Sequence, residues 1–251
     1  MSDIGVVGAG SFGTALAISL SNENNNVTLW ARSKSQIEEM RESNENKKFL
    51  PGIKLPKTLD PTMDFKDLNK CEVILLAIPT QSLSNFFTSH IIEASDVHIV
   101  ACCKGAELET GDLPTEIIKR YLPKNEILVL TGPGFAKELA SGKPTAMTLG
   151  SKLPKNNIQK MLSSKTLRLY QSNDLVGVQL GGALKNVIAI ACGMVIGAGL
   201  GESARASLMT RGFAEMIRFA KEKGANPDTL MGLSGFGDLS LTCNSTKSRN
   251  F

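Results

Sequence analysis

The hydrophobic residues in the first two thirds of the chain form short runs, separated by stretches of helical spacing or polar composition. The runs predict β-strands at residues 4–7, 27–31, 73–78, 98–103, 127–130, 145–149 and 166–170. The run at 73–78 is apolar throughout and stops at Pro79, which is typical of a parallel strand buried on both faces. Residues 33–70 are polar and lysine-rich, and predict a helix and a loop. Strands alternating with helices predict an α/β sheet covered by helices.

Beyond residue 172 the strand patterns stop and helical spacing takes over. Helices are predicted at residues 175–199 and 204–223, and a third begins at Pro227. Ser203 is the expected cap of the second helix, and Gly224 is its expected end. We therefore expect an α/β domain at residues 1–172 and an all-α domain at residues 173–251.

The apolar stretch at residues 187–201 has Cys192 as its one ionisable side chain. This stretch is shorter than the roughly 17–25 residues that cross a bilayer. Lys185 and Glu202 close it on either side. We expect a helix that is buried in part in the core and does not span a membrane, with Lys185 at its N-terminal end.

Composition narrows the class of protein. The 251 residues are 42% hydrophobic and 21% charged, with a mean hydropathy of −0.02, as in a soluble globular protein. The net charge of +4 is scattered, which disfavours nucleic-acid binding and suits a small anionic substrate. Five cysteines without a CxxC pair and an N-terminus without signal-peptide features predict reduced thiols in the cytoplasm. His90 and His98 lack partners at metal-ligand spacing, so no metal site is expected.

The clearest motif is a glycine turn between the first strand and the first helix. Gly8 suits the tight turn, Gly10 allows a pyrophosphate to approach the backbone, and Gly13 allows the helix to pack on the strand. A phosphate group would then lie at the helix N-terminus. Because the motif stands between a predicted strand and a predicted helix, it indicates a Rossmann-type dinucleotide site.

Arg32 follows the second strand, where an acidic residue often binds the ribose 2′-hydroxyl. A guanidinium group instead suits a 2′-phosphate. Arg32 therefore favours NADP, or tolerance of both NADP and NAD, and the alternative is an ordinary surface arginine.

Further candidates follow the ends of other predicted strands and helices. Lys104 and Gly132 lie just beyond the fourth and fifth strands, at the edge where doubly wound sheets bind ligands. Near the C-terminus, Asp238 stands among glycines, and the sequence Ser-Arg-Asn at 248–250 offers donors suited to a phosphate.

Taken together, these residues resemble the bacterial-type NAD(P)-dependent glycerol-3-phosphate dehydrogenases. The resemblance covers nearly the whole chain, and its motifs are jointly specific. They are GAGSFGTALA at 8–17, LWAR at 29–32, CKGAE at 103–107, TGPGFAKELA at 131–140, LGGALKNVIAIACG at 180–193, GLGESARASLMTRG at 199–212, GFGDLSLTC at 235–243 and SRN at 248–250. The resemblance implies a Rossmann-type domain followed by an all-α substrate domain, a homodimer, and reduction of dihydroxyacetone phosphate to sn-glycerol 3-phosphate for phospholipid synthesis.

By position, the resemblance also implies roles for individual residues. Lys185 matches the family's catalytic lysine, and Lys104 matches a lysine that contacts cofactor and substrate. The positions matching substrate contacts are Gly132, Asn186, Asp238, Thr242, Ser248, Arg249 and Asn250. The positions matching cofactor contacts are Ser11, Phe12, Arg32, Ala136 and Arg249.

Three departures from the family pattern stand out. Gly134 and Ser203 replace a frequent serine and a frequent asparagine, and family members continue beyond SRN with more helices. We therefore expect the all-α domain to be incomplete at its C-terminus.

The implied mechanism is protonation of the ketone oxygen by Lys185 as hydride reaches the carbon. Burial beside Lys104 should lower the pKa of Lys185, Asp238 should hold its ammonium group, and Arg249 and Asn250 should anchor the phosphate. The alternatives are a 3-hydroxyacid or 6-phosphogluconate type of dehydrogenase, and a non-catalytic NADP-binding protein.

Overall fold

The computed structural model describes residues 2–21, 25–92, 96–248 and 250–251. Within these residues, one sheet has eight strands in the spatial order β3-β2-β1-β4-β5-β6-β7-β8. The strands are β1 Asp3–Val7, β2 Asn26–Trp30, β3 Leu59–Thr62, β4 Val73–Leu76, β5 His98–Ala101, β6 Ile127–Thr131, β7 Thr145–Gly150 and β8 Leu167–Ser172. Strands β1 to β6 pair in parallel. β7 runs antiparallel to β6, and β8 is parallel to β7.

Helices cover the sheet and then form a separate layer. They are α1 Ser11–Ser21, α2 Lys34–Ser43, α3 Leu83–Ser89, α4 Pro114–Tyr121, α5 Ala136–Ala140, α6 Asn156–Met161, α7 Leu175–Gly197, α8 Glu202–Glu222, α9 Pro227–Met231 and α10 Asp238–Cys243. Short 3₁₀ turns lie at Phe65–Lys70 and Thr80–Ser82, and a π-helical turn at Leu233–Gly237 leads into α10. The chain is thus a Rossmann-type α/β sheet followed by an all-helical region, as predicted.

Burial explains why the strands read as continuous apolar runs. Along β4, Val73 and Leu75 pack into the core on one face of the sheet, whereas Ile74 and Leu76 pack into the core on the other. Both faces are covered by helices, so successive residues are buried whichever way they point. A third core joins α7 to α8, α9 and α10.

Three features of the sheet and helices differ from the sequence-based expectations. β3 lies in the stretch predicted to be only helix and loop, and it contains Pro61. Proline is tolerated there because β3 pairs with β2 alone and forms the edge of the sheet. The first helix of the all-α region ends at Gly197 rather than at residue 199. The predicted cap Ser203 is wrong, because α8 begins at Glu202 after Gly201, whose φ of +85° suits glycine.

α7 is long and apolar enough to cross a membrane, with a mean hydropathy of 1.7 over an 18-residue window. One third of that window is buried, and the helix packs against β6, β7, α8, α9 and α10. A core helix of a soluble protein passes the same test, so the absence of a membrane span stays a prediction.

Candidate functional site

The glycine turn after β1 has the local geometry that its sequence predicted. Gly8 has a φ of +109°, and a Cβ atom there would lie 2.8 Å from the carbonyl oxygen of Ala77. A Cβ on Gly13 would lie only 1.9 Å from the carbonyl oxygen of Gly8, so α1 packs directly on the turn. At Gly10, by contrast, a Cβ would have no heavy atom within 4 Å. Gly10 therefore leaves open space at the N-terminus of α1, which fits the diphosphate of a dinucleotide.

Two side chains outside the motif hold this turn in place. Asn46 is buried and donates from Nδ2 to the carbonyl oxygen of Ala9 at 2.9 Å and to Oγ1 of Thr14 at 2.7 Å. Gln36 Nε2 donates to the same Ala9 carbonyl oxygen at 2.8 Å. Sequence reasoning missed both residues, because nothing in the polar stretch at 33–70 marks which amide folds back onto the turn.

Four further cofactor candidates are Ser11, Phe12, Ala136 and Arg32. Ser11, the first residue of α1, donates from Oγ to the carbonyl oxygen of Phe49 at 2.6 Å. Phe12 and Ala136 pack against the same core face, where α5 lies against α1. Arg32 is exposed just after β2. Ser11 and Arg32 thus come after the carboxyl ends of the parallel strands β1 and β2, where Gly10 leaves open space, whereas Phe12 and Ala136 pack against the core.

A buried cluster of two lysines and an aspartate lies between the sheet and the helical region. Lys185 Nζ donates to Asp238 Oδ1 at 2.6 Å and to Thr242 Oγ1 at 2.7 Å. Lys104 Nζ donates to the other carboxylate oxygen of Asp238 at 2.5 Å. Side chains of Lys185 and Asp238 are 8% and 3% exposed, whereas that of Lys104 is 25% exposed. One carboxylate thus binds two ammonium groups, of which Lys104 is the more accessible to solvent.

Small residues on α7 make this cluster possible. A Cβ on Gly182 would lie 2.9 Å from Thr131 Oγ1 and 3.4 Å from Cγ of Lys104. A Cβ on Gly181 would lie 2.5 Å from the carbonyl oxygen of Ser234 in the π-helical turn. The absence of side chains at these two positions lets the Lys104 loop and the turn before Asp238 approach one helix.

Burial and the neighbouring Lys104 lower the pKa of Lys185 to about 8, although Asp238 acts in the opposite direction. Burial is the larger cause, because it removes water from the charged ammonium group. A lysine with this pKa gives up a proton near neutral pH far more readily than an exposed lysine does. The arrangement therefore suits a general acid held in a fixed position by a carboxylate.

The structure places one of the predicted phosphate-binding residues, Asn250, beside this cluster. Asn250 Nδ2 donates to Oδ1 of Asn186 at 2.8 Å, which places the chain end beside the residue that follows Lys185. The backbone N–H of Asn250 also donates to Ser248 Oγ at 3.2 Å. Arg249 lies outside the described residues.

Gly132 is explained by packing at the end of β6. A Cβ there would lie 2.9 Å from Cα of Met147 on the neighbouring strand β7. Gly132 is itself buried, so its lack of a side chain serves the close approach of β7.

The histidines and cysteines lie apart from the lysine cluster or contribute only packing to it. His90 stacks on Phe86 with ring centroids 4.8 Å apart, in an aromatic cluster with Trp30 and Phe65. The five cysteines are free thiols, and burial raises the pKa of Cys71 and Cys243 to about 12. In the part of the chain that the structure describes, no three His, Cys, Asp or Glu side chains are grouped to hold a metal ion.

Comparison with known proteins identifies the family. The protein-family model described as the NAD-dependent glycerol-3-phosphate dehydrogenase N-terminus matches residues 3–157. The family model of the C-terminus matches residues 174–251. Curated proteins named glycerol-3-phosphate dehydrogenase [NAD(P)+] from Roseobacter denitrificans and Ruegeria sp. are 53% and 52% identical over 250 residues. These alignments cover 99% of this chain and 78% of each relative.

Comparison with solved structures points to the same family. A crystal structure of glycerol-3-phosphate dehydrogenase from Coxiella burnetii superposes with a TM-score of 0.94 at 35% sequence identity, covering 99% of this chain and 78% of that one. The chain therefore belongs to the NAD-dependent glycerol-3-phosphate dehydrogenase family.

Proposed function

We propose that the protein catalyses the reversible reduction of dihydroxyacetone phosphate to sn-glycerol 3-phosphate with NADH or NADPH, and that it serves glycerophospholipid synthesis. One observation carries the chemical part of the proposal. The Lys185 ammonium group is buried, it donates a hydrogen bond to Asp238, and its pKa is lowered to about 8. Family membership supports the cofactor class and the substrate.

The dinucleotide would be held by the glycine turn of Gly8, Gly10 and Gly13 and by the candidates around it, Ser11, Phe12, Arg32, Ala136, Lys104 and Arg249. A nicotinamide cofactor, when bound, supplies the hydride. The open space at Gly10 and the helix N-terminus at Ser11 support this assignment. We propose a preference for NADPH, because the exposed guanidinium group of Arg32 suits a 2′-phosphate.

In the reduction, Lys185 donates a proton from Nζ to the oxygen of the substrate carbonyl as negative charge develops there. Asp238 and Thr242 each accept a hydrogen bond from Nζ, so they fix the direction in which the remaining proton points. Lys104 shares Asp238 and contributes a second positive charge near the same oxygen. In the reverse direction, neutral Lys185 accepts the hydroxyl proton.

The phosphate group of the substrate would be bound by Ser248, Arg249 and Asn250, with Gly132 and Asn186 as further substrate contacts. The bond between Asn250 and Asn186 supports a phosphate position close to Lys185. Anchoring a remote phosphate orients the carbonyl without touching it.

We also propose a division of labour along the chain, with residues 1–172 binding the cofactor and residues 173–251 forming the substrate domain. The change from strands to helices after β8 supports this boundary. A homodimer, a cytoplasmic location and the absence of nucleic-acid and membrane partners belong to the same proposal.

A direct assay separates this function from its rivals. NADPH loss should follow addition of dihydroxyacetone phosphate, and NADP reduction should follow addition of sn-glycerol 3-phosphate. A 3-hydroxyacid or 6-phosphogluconate dehydrogenase would instead reduce NADP with its own substrate. A non-catalytic binding protein would show NADPH binding by fluorescence without turnover. Either of the last two results would replace the proposed function.

A further inference from the structure

Lys104 lies on a loop that is held by hydrogen bonds to side chains of the 3₁₀ turn Thr80–Ser82. The loop follows β5, and Thr80 Oγ1 donates to the carbonyl oxygen of Lys104 itself at 3.0 Å. Gln81 Nε2 donates to the carbonyl oxygen of Ala106 at 2.6 Å, and Gln81 Oε1 accepts from the N–H of Leu108 at 3.0 Å. The main chain from Lys104 to Leu108 is therefore fixed to one turn.

Glu107 ties the same loop to two helices. The residue is 8% exposed, and its carboxylate accepts hydrogen bonds from Ser84 Oγ on α3 at 2.5 Å, Thr110 Oγ1 at 2.8 Å and Arg120 Nη2 on α4 at 2.5 Å. The Ser84 hydroxyl, followed by Arg120 and Thr110, lowers the pKa of Glu107 to about 2. Glu107 is thus ionised throughout the neutral range, and its carboxylate accepts hydrogen bonds from three neighbouring side chains.

The position of Lys104 explains why its loop must be held in place by such a network. Its side chain is long and 25% exposed, and fixing such a side chain in one conformation costs conformational entropy. The stem passes over Gly182, and only the ammonium group reaches Asp238. A shift of the loop would move that group away from Asp238, and a misplacement of about 1 Å can cost a catalytic site about 10²-fold in rate.

We propose that Glu107 is a positioning residue for the reduction, because it holds the loop that keeps Lys104 on Asp238. This inference rests on the proposed function, since it assigns Lys104 a part in the same reaction. Glu107 touches neither substrate nor cofactor in this role, and its effect on Lys185 passes through Lys104.

The first test is Glu107→Gln, which keeps the size of the side chain but removes the negative charge that pairs with Arg120 and leaves one accepting oxygen for three donors. In a crystal structure of the variant, Lys104 Nζ should lie beyond hydrogen-bond distance of Asp238 Oδ2. This readout needs no substrate. Finding the Lys104 to Asp238 bond unchanged would overturn the proposal whether or not the protein reduces dihydroxyacetone phosphate.

Kinetics give the second test. Glu107→Gln should lower kcat for dihydroxyacetone phosphate by about tenfold or more. It should also move the alkaline limb of the pH profile to higher pH, the shift expected for Lys104→Met, because Lys104 lowers the pKa of Lys185. In the Lys104→Met background, Glu107→Gln should have no further effect on kcat/KM, because the two act as one unit. Fully additive losses would show that Glu107 acts by another route.

The matched control is Glu126→Gln. Glu126 pairs with Lys155 at 2.5 Å and with His98 at 3.8 Å, and it precedes β6, at the opposite end of the strands from Lys104. This variant should keep normal kcat and the normal position of Lys104. If Glu107→Gln fails to fold, Thr80→Val removes the hydrogen bond to the Lys104 carbonyl with little change of shape, and the same displacement and loss of kcat are expected.

The two proposals fail in different ways. If the unmodified protein does not reduce dihydroxyacetone phosphate, the proposed function is wrong, and the crystal structure of Glu107→Gln still decides whether Glu107 positions Lys104. If the unmodified protein is active and Glu107→Gln matches the Glu126→Gln control, only the positioning role is wrong.

Discussion

The Lys185 ammonium group lies 2.6 Å from Oδ1 of Asp238, although 53 residues separate the two in sequence. Lys185 belongs to α7, and Asp238 is the first residue of α10, immediately after the π-helical turn. The other oxygen of the same carboxylate accepts from Lys104, which follows β5. The carboxylate therefore joins the sheet to the helical region at the point where the chemistry is proposed.

Replacing Lys185 tests whether this ammonium group is the proton donor. Lys185→Met should lower kcat for dihydroxyacetone phosphate reduction by about 10²- to 10⁴-fold, the usual range for loss of a general acid. NADPH affinity, measured by fluorescence titration, should change little. The control Lys160→Met replaces an exposed lysine on α6 and should retain full activity. Near-normal turnover by Lys185→Met would remove Lys185 from the proposed mechanism.

The pH dependence of the two reaction directions should be opposite. Reduction needs protonated Lys185, so kcat/KM should be level at low pH and fall as pH rises through about 8, the pKa that burial and Lys104 give this lysine. Oxidation of sn-glycerol 3-phosphate needs neutral Lys185, so its kcat/KM should rise through the same pH. Profiles of both directions in one buffer series check this. Limbs that run in the same direction would contradict a single acid–base group.

Lys104 and Asp238 should shift that pKa in opposite directions. Lys104 lowers the pKa of Lys185 and Asp238 raises it. Lys104→Met should therefore move the alkaline limb of the reduction profile to higher pH, and Asp238→Asn should move it to lower pH. Residual activity across the pH range, measured at saturating cofactor, reports both shifts. Parallel shifts would mean that charge at these positions does not control Lys185.

Asp238→Asn should also reduce stability, because it leaves Lys185 buried without a carboxylate. The expected loss is about 3–5 kcal/mol of unfolding free energy at neutral pH. The folded-state pKa of Lys185 already lies below its value of 10.5 in the unfolded chain, and loss of Asp238 lowers it further. The penalty relative to the unmodified protein is therefore largest below the lowered pKa of the variant, and it is lost as pH rises through about 8, where Lys185 becomes neutral in both folded proteins. Urea unfolding at a series of pH values measures this change.

Sequence patterns located much of this site because it is built from local features. The turn at Gly8, Gly10 and Gly13 depends on neighbouring residues, and Lys104 follows directly from the end of a buried strand. The pairing of Lys185 with Asp238 came instead from the resemblance, since no periodicity relates residues so far apart.

Other features could not be predicted from one sequence because they depend on contacts distant along the chain. The direction of β7 is set by pairing with β6, and an apolar run reads the same in either direction. The amide of Asn46 supports the glycine turn across 37 residues from Ala9. β3 is short and contains Pro61, so its status as a strand rests on its place at the sheet edge.

Two glycines of the turn should respond differently to alanine. At Gly13 the new methyl group would meet the carbonyl oxygen of Gly8, so Gly13→Ala should cost about 1–3 kcal/mol of unfolding free energy. At Gly10 the methyl group would meet no protein atom, so Gly10→Ala should leave stability within about 0.5 kcal/mol. NADPH affinity of Gly10→Ala should nevertheless fall at least about tenfold, since the methyl group occupies the diphosphate space. Thermal unfolding and NADPH titration of both variants distinguish packing from binding.

Arg32 decides the predicted preference between the two cofactors. The residue is exposed after β2, and a charge-assisted hydrogen bond to a 2′-phosphate is worth about 1.5–3 kcal/mol. Arg32→Asp should therefore lower kcat/KM for NADPH by about 10- to 100-fold. It should leave NADH use equal or improved, because a carboxylate can accept from the 2′-hydroxyl. Lys34→Asp makes the same charge change two residues further on, at another exposed position, and should leave the ratio of NADPH to NADH use unchanged. If both variants shift the ratio equally, general surface charge rather than Arg32 sets the preference.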